Sequence, residues 1–282
     1  MKYLIHIGFL FTVFTINAQN LVKNSGFEEY WRLQKLLGYE ADTFFCENWY
    51  LPSLGTVDYY TEGNILELNT KKTLHLLDVP NNLFGHHPSI EGKSYVGFIP
   101  LSIQGEMEHI IGELDYKLIK NKVYEVSFHI KHGGDSIKYS NTKFEVKFFN
   151  ESDFFKGKNP FDTEYGIDMF NTNYKGIFQK SNIIADVTYD LCEVNNTNQW
   201  IKVTGNYVAK GGESYLGLGL FYQGEKLKEI LQKYLVSQKV KKFIKKQSII
   251  KINKTYVQSN TFFGNENITY YFIDEVIVEE IK

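Results

Sequence analysis

The segment KVYEVSFHIK, residues 122–131, decides the fold class of this chain because apolar and polar side chains alternate along it. Successive side chains of a β-strand point to opposite faces of a sheet, so this period of two predicts a half-buried strand. Its apolar face consists of Tyr124, Val126, Phe128 and Ile130. The segment KFEVKFF, residues 143–149, repeats the pattern and predicts a second strand over the same core.

Further strand-like segments lie on both sides of this pair. They are KSYVGFI (93–99), MEHIIGEL (107–114), WIKVTGNYVA (200–209), SYLGLGLF (214–221) and YYFIDEVIV (270–278). Turn-forming residues separate several of them, for example at 132–135 and 210–212. The chain also contains 22 Phe and 20 Tyr, which favour strands. Together these features predict one all-β domain, a sandwich or jelly roll.

The first 18 residues have the features of an export signal. Lys2 is followed by the apolar run LIHIGFLFTVF, and Ala18 provides a small residue at the cleavage point. The run is too short to span a bilayer, and no later segment is long and apolar enough to do so. We therefore expect a signal peptide at 1–18, a single domain at 19–282, and a periplasmic, cell-surface or secreted location.

Cys46 and Cys192 are the only cysteines. An oxidising compartment would permit a disulfide between them, and two free buried thiols are the alternative. Two cysteines alone are too few for a zinc site.

A Lys-rich segment at 225–255 departs from the strand pattern. Its apolar residues recur at helical spacing, which predicts an amphipathic helix. The segment contains ten Lys and two Glu, a net charge of about +8, which leaves about −10 on the rest of the chain. It is either a solvated insertion packed on the sandwich or a docking surface for an acidic protein, an anionic polysaccharide or lipid headgroups. The candidate docking residues are Lys241, Lys242, Lys245 and Lys246. We expect no nucleic-acid partner for an exported protein.

Five segments carry a resemblance to a known family: NLVKNSGFEEYW (20–31), ENWYLPSLGTVDYY (47–60), VPNNLFGHHPSIEGKSYVGF (79–98), WIKVTGNYVAKGGESYLGLGLFY (200–222) and YYFIDEVIV. Together they resemble the N-terminal jelly-roll domain of exported and surface proteins of Bacteroidetes, which often precedes a peptidoglycan-binding domain of the outer-membrane-protein-A type. More distantly, the chain is similar to galactose-binding-like sandwiches, including family 4 carbohydrate-binding modules. The resemblance implies a jelly-roll β-sandwich over nearly the whole mature chain. In this sequence no peptidoglycan-binding segment follows, and the Lys-rich segment precedes the last strand.

The last strand is expected to place a carboxylate on an apolar surface. Strict alternation puts Asp274 on one face with Phe272 and Val276. It puts Tyr271, Ile273 and Ile277 on the other face. A buried carboxylate is costly unless a cation or several donors stabilise it.

The resemblance implies that such a cation is present. In related sandwiches the acidic residue after Gly-Phe and the Asp of the last strand help to bind structural calcium, and the matching positions are Glu28 and Asp274. Backbone carbonyls, and Glu29, would complete the six to eight oxygen ligands of calcium. In the alternative interpretation, Glu28 and Asp274 cap turns or pair with lysines.

Sugar binding requires exposed aromatic rings beside polar groups. Asp58, Tyr59 and Tyr60 follow a Gly-containing stretch and form one candidate ligand site, and Trp31 is another candidate residue. Packing in the core is the alternative for each ring and the preferred interpretation for Trp49 and Trp200. The sequence predicts no catalytic residue, because nothing in it places two carboxylates across a cleft, as a glycosidase requires.

Our leading hypothesis is an exported, non-catalytic module that binds carbohydrate or a cell-envelope component, with calcium as a structural ion. The alternative is an envelope scaffold or protein-interaction module that docks through its Lys-rich segment. A polysaccharide lyase or hydrolase on the same fold is the least favoured hypothesis.

Overall fold

In a computed structural model of the chain, the structure describes residues 19–34, 46–52, 57–67, 73–101, 107–133, 141–154, 183–195, 197–221, 227, 229 and 269–281. The predicted signal peptide and all but two residues of the Lys-rich segment lie outside these ranges. Both therefore stay predictions from the sequence.

The described residues form fifteen strands and two short helices. The strands are β1 Trp49–Tyr50, β2 Asp58–Glu62, β3 Leu66–Glu67, β4 Thr73–Leu74, β5 Asp78–Val79, β6 Asn81–Asn82, β7 Gly85–His86, β8 Ser94–Phe98, β9 Ile110–Glu113, β10 Val123–His132, β11 Lys143–Phe149, β12 Val187–Asp190, β13 Ile201–Val208, β14 Tyr215–Gly219 and β15 Tyr271–Glu280. The helices are α1 Glu151–Phe154 and α2 Cys192–Asn195. Within the described ranges, no helix has the length and apolar character needed to cross a membrane.

Two large sheets contain most of these strands. One has the order β1-β9-β14-β11-β12, and the other has the order β13-β10-β15-β8-β2-β5. Strands β2 and β5 pair in parallel, whereas the other neighbours in both sheets are antiparallel. The architecture confirms the all-β sandwich predicted from the sequence.

The main core lies between the two sheets and uses the predicted apolar faces. Phe128 and Ile130 of β10 are buried in one cluster with Phe144 and Val146 of β11. The rings of Phe128 and Phe144 lie 5.4 Å apart in an edge-to-face arrangement, which is favoured for aromatic pairs. Because burial of one such side chain stabilises a fold by about 1.5–3 kcal/mol, this interface is the main source of stability.

A bulge in β15 changes the predicted facing of its second half. The register with β10 shifts between Ser127 and His129, and Glu275 adopts a positive φ of 53°. The extra residue turns Val276 into the main core, while Ile277 pairs with Ser127 on the outer face. The prediction that Val276 shares a face with Asp274 is therefore wrong, because strict alternation does not allow for a bulge.

A second apolar cluster covers the outer face of the six-stranded sheet. Phe272 belongs to this face because it pairs with Lys131, on the polar side of β10. Segment 76–90 crosses the face and adds further side chains to the cluster. The buried members are Tyr60, Leu77, Val79, Phe84, Tyr95, Tyr270 and Phe272. Part of this sheet is thus buried on both sides.

We expect Gly112→Ala to destabilise the fold by about 1–3 kcal/mol, because overpacking a core displaces neighbouring groups. Gly112 pairs with Trp49, and a Cβ there would lie 2.7 Å from two atoms of the indole ring. Urea unfolding of Gly112→Ala, Trp49→Phe and the double variant measures the effect. Overpacking predicts that the double variant loses less stability than the sum of the single losses, whereas simple additivity would contradict it.

Candidate functional site

The loop at 24–29 is fixed by the side chain of Asn24. Its Nδ2 donates to the carbonyls of Glu29 at 2.8 Å and Glu47 at 2.9 Å, while its Oδ1 accepts the amide of Glu29 at 3.0 Å. Trp49 Nε1 donates to the Asn24 carbonyl at 2.9 Å, and the Trp49 ring packs 4.7 Å from Phe27. Asn24 has a φ of 47°, a conformation that Asn tolerates better than most residues. The sequence NSGFEE therefore forms an ordered loop joined to the core.

Two adjacent aromatic side chains follow this loop and are exposed. Trp31 is 60% exposed and Tyr30 is 42% exposed. The backbone of Tyr30 bridges to Cys46, and its ring lies 5.5 Å from the buried ring of Tyr59. Downstream, the buried Gln34 accepts the amide of Tyr59 at 2.9 Å. The backbone on both sides of the pair is thus attached to the sandwich.

Asp58, Tyr59 and Tyr60 do not form the open ligand site predicted for them. They lie on β2, where both tyrosines are 0% exposed and Asp58 is buried. Tyr59 faces the main core, and Tyr60 faces the outer cluster, so neither ring offers a surface to a ligand. This part of the prediction is wrong because segment 76–90 covers the second face of the sheet.

Hydrogen bonds explain how these polar groups tolerate burial. Tyr59 donates to the carbonyl of Phe27 at 2.9 Å. Tyr270 donates to Asp58 Oδ2 at 2.7 Å, and its hydroxyl lies 2.8 Å from that of Tyr60. Burial raises the pKa of both Tyr60 and Tyr270, so their hydroxyls stay protonated and the network is structural.

Glu28 and Asp274 both bind the loop before β8. Glu28 Oε1 accepts the amides of Lys93 at 2.8 Å and Ser94 at 2.9 Å. Asp274 Oδ2 accepts the amide of Ile90 at 2.9 Å, although 184 residues separate the two in sequence. The structure thus brings together the two carboxylates that the family resemblance singled out.

One glycine makes the approach of Glu28 to this loop possible. Gly92 has a φ of +64°, and a Cβ there would overlap Glu28 Oε1. Gly26 lies beside both acidic residues, since a Cβ there would make ordinary contacts with Glu28 Cγ at 3.9 Å and Asp274 Oδ1 at 4.0 Å.

Asp274 is strongly perturbed by its surroundings. Burial raises its pKa to about 7, and the nearby Glu28 carboxylate adds to the increase, while amides such as those of Ile90 and Glu275 oppose it. Among the described residues, no Lys, Arg or His forms an ion pair with Glu28 or Asp274. A cation between the two would remove their repulsion.

The donor set at this position fits calcium only with help from the backbone. Calcium prefers six to eight oxygen ligands, and Glu28 and Asp274 offer carboxylate oxygens. The described residues contain no cluster of three or more His, Cys, Asp or Glu side chains suited to a metal. Backbone carbonyls would have to supply the remaining ligands.

Of the two alternatives that the sequence left open, the structure has the one without a disulfide, since Cys46 and Cys192 are not bonded to each other. Cys46 immediately precedes β1 and Cys192 follows β12, and these strands lie at opposite edges of the five-stranded sheet. Four strand spacings separate those edges by roughly 19 Å, well beyond the Cα separation of a disulfide. Cys46 is buried beside Asn24, whose Nδ2 lies 3.2 Å from the thiol, whereas Cys192 is exposed.

The remaining site predictions divide into two groups. Trp31 is exposed as its proposed role requires, whereas Lys241, Lys242, Lys245 and Lys246 lie outside the described residues. Sequence reasoning missed Tyr30, although its place directly before Trp31 was a usable signal. It also missed Gln34 and Asn24, because single polar residues carry no sequence pattern that indicates an anchoring role.

Comparisons with known proteins identify no family for this chain. No protein-family model matches the sequence, and a search of curated proteins finds no match. Solved structures with partial similarity include the enzymatically active domain of tailspike protein 4 from bacteriophage CBA120, with 12% identity and a TM-score of 0.33. That alignment covers 93% of this chain but only 21% of the tailspike chain.

Two further solved structures are similar over most of their length. A candidate sugar-binding protein from Bacteroides thetaiotaomicron has 10% identity and a TM-score of 0.37, with 93% of this chain and 100% of that chain covered. The CBM22-1 xylan-binding domain of Paenibacillus barcinonensis Xyn10C has 11% identity and a TM-score of 0.30, with 89% and 98% covered. Similarities this distant assign no ligand to this chain.

The raised pKa of Asp274 predicts a pH dependence of stability. The usual pKa of 3.8 applies to the unfolded chain, so the folded state binds a proton more tightly between about pH 4 and 7. The contribution of Asp274 to the free energy of unfolding therefore falls as pH rises through that range. Asp274→Asn removes this contribution, so the variant should gain at least about 1.4 kcal/mol relative to wild type between pH 4.5 and 7.5.

Urea unfolding in a metal chelator, at both pH values, measures this difference. His87 and His109, whose pKa values are lowered to about 4 by burial, contribute the opposite slope in both proteins and cancel in the comparison. A difference between the two proteins that does not change with pH would refute the assignment to Asp274.

Proposed function

We propose that this chain is an exported, non-catalytic module that binds carbohydrate through the side chains of Tyr30 and Trp31. The exposure of Trp31 is the observation that carries the proposal. Among the four residues predicted as ligand-binding, it alone presents a ring to solvent, since Asp58, Tyr59 and Tyr60 are buried.

The exposed side chains of Tyr30 and Trp31 have the chemistry that sugar binding requires. The C–H groups of a pyranose pack against aromatic faces, and the exposed rings of Tyr30 and Trp31 offer such faces. Glu29 is exposed immediately upstream and can accept hydrogen bonds from sugar hydroxyls. Anchoring by Asn24 and Gln34 holds the rings before the ligand arrives.

The buried carboxylates support a non-catalytic role. Glu108 accepts the amide of Ile99 at 2.7 Å, and Glu145 accepts the amide of Phe221 at 2.9 Å. Glu213 accepts the amides of Lys210 and Gly211. Each of these carboxylates stabilises a turn or strand end, which is a structural use rather than acid-base chemistry.

We also propose that Glu28 and Asp274 hold a structural calcium ion. Both side chains lie beside Gly26, and neither has a cationic partner among the described residues, which supports this proposal. Because Glu28 lies three residues before Trp31, a bound ion would also stabilise the loop that leads into Tyr30 and Trp31.

We expect Trp31→Ala to weaken glycan binding at least about tenfold, which corresponds to ~1.4 kcal/mol, because it removes the larger stacking surface. A glycan array with the full chain selects the ligand, and isothermal titration calorimetry measures the affinity. Tyr116→Ala is the matched control, since Tyr116 is a 50% exposed ring on the loop before β10.

The Trp31 variant should keep the wild-type melting temperature, because an exposed ring contributes little to the core. Absence of binding across plant, algal and bacterial glycans would refute the proposed function. Equal loss of affinity in the Trp31 and Tyr116 variants would refute the proposed location.

Calcium should raise the melting temperature, and a chelator should reverse the effect. At a hundred times the dissociation constant the gain is about 2.7 kcal/mol, or roughly 5–10 °C for a domain of this size. Differential scanning calorimetry checks this for wild type, Glu28→Gln and Asp274→Asn. Glu62→Gln is the control because Glu62 forms only an exposed ion pair with Lys93. A wild-type melting temperature unmoved by calcium would rule out the ion.

A further inference from the structure

Strand β13 is a long edge strand of the sandwich. It is outermost in the six-stranded sheet, and among the described residues it pairs with β10 alone. Its eight residues, Ile201–Val208, follow one unbroken register with β10 and include no proline. The other outermost strands of the two large sheets, β1, β5 and β12, have two, two and four residues. A long, regular edge without a bulge is a template for pairing with another chain.

Two hydrogen bonds show which backbone groups β13 directs away from β10. The Ala209 amide donates to the Lys122 carbonyl at 2.9 Å, so Ala209 faces β10. The Ile281 amide donates to the Val123 carbonyl at 2.8 Å, so Val123, which is opposite Val208, faces β15 instead. Successive residues of an antiparallel strand alternate in this respect. The N–H and C=O groups that point to the free edge are therefore those of Lys202, Thr204, Asn206 and Val208.

These four residues are open to solvent. Their side chains lie on the outer face of the sheet and are exposed, Val208 by 58%. Apart from the pairing with β10, no hydrogen bond to any of the four is present in the described part of the chain. Eight backbone groups along one edge are thus available to a second strand.

Opposite charges near this edge also lack partners. Lys202 of β13 and Glu125 of β10 project from the outer face, because their neighbours Val203 and Val126 enter the main core. Neither forms an ion pair within the described ranges. Glu125 instead lies opposite Glu279 of β15, and like charges directly opposite each other destabilise a sheet. An additional cation beside Glu125 would therefore stabilise this face.

We propose that β13 is a dimerisation edge and that it pairs with β13 of a second copy, antiparallel, about a twofold axis at Thr204. In this register Lys202 lies opposite Asn206 of the second copy. Asn206 is the neighbour of Glu125, so two strand spacings, roughly 10 Å, separate the backbones of Lys202 and Glu125 of the second copy. The extended side chains of lysine and glutamate span that distance, and symmetry forms the contact twice. This interface does not depend on the proposed function.

Sedimentation velocity of the full chain, over a wide range of concentration, tests the proposal. Wild type should form a dimer as its concentration rises. Thr204→Pro should raise the dissociation constant of the dimer at least about tenfold, because it removes an N–H that faces the second copy. It should keep the monomer fold, because that N–H makes no bond to β10. Thr204→Lys is a second variant, which places two like charges opposite each other at the axis. Thr73→Lys, at an exposed threonine of β4, is the matched control and should leave the dissociation constant unchanged.

An exchange of charges tests the register. Lys202→Glu and Glu125→Lys should each weaken the dimer, because each places like charges across the interface. The double variant should recover most of the lost affinity, because the exchanged charges again attract between the two copies. This comparison decides the question even if neither Thr204 variant folds.

Three outcomes would overturn the proposal. If wild type stays monomeric at every concentration, the edge is solvated or accepts an extended peptide from another protein. If wild type forms a dimer that both Thr204 variants leave intact, the copies associate elsewhere, for example through the Lys-rich segment 225–255. If the double charge variant dimerises no better than the single variants, the twofold axis does not lie at Thr204.

Discussion

The bulge at Glu275 in the closing strand is the constraint on which the rest of the structure depends. Without the extra residue, Val276 would lie on the outer face with Asp274, and the charged Glu275 would face the main core. With it, Tyr271, Ile273 and Val276 enter the main core while Asp274 faces the loop before β8. One strand therefore completes the sandwich and fixes the loops that cover its outer surface.

The burial of this outer surface determines which aromatic rings remain accessible to a ligand. Segment 76–90 buries the outer face of β2 and β8, so aromatic residues that look suitable for sugar stacking become part of a second core. The exposed rings are instead those of the N-terminal segment, which Asn24 and Gln34 attach to the sandwich. Polar groups are buried in this region as well, and they differ in the hydrogen-bond or ion-pair partners that stabilise them. Asp58 obtains tyrosine and amide donors, Asp274 obtains backbone amides, and Lys131 obtains no described ion-pair partner.

Much of the fold could be predicted from the sequence because alternation reports directly on burial. The segments at 122–131, 143–149 and 200–209 all form strands near their predicted bounds. The errors arose where a local pattern was not enough. Asp58–Tyr60 follows a glycine and resembles a loop, yet it becomes a strand because β8 pairs with it. Strand β5 pairs with the last two residues of β2, Thr61 and Glu62. The sequence also left open whether Cys46 and Cys192 form a disulfide, and only the sheet order shows that they are too far apart.

By itself, the sequence determined the all-β class and the inward faces of most of the long strands, because hydrophobic periodicity is a property of short segments. Glu28 and Asp274 were singled out as a pair only by the family resemblance. The tertiary structure decided which aromatic rings stay exposed, which buried donors obtain acceptors, and how close Glu28 comes to Asp274. These properties depend on contacts between residues far apart in the chain, such as Ile90 and Asp274, and no local pattern records them.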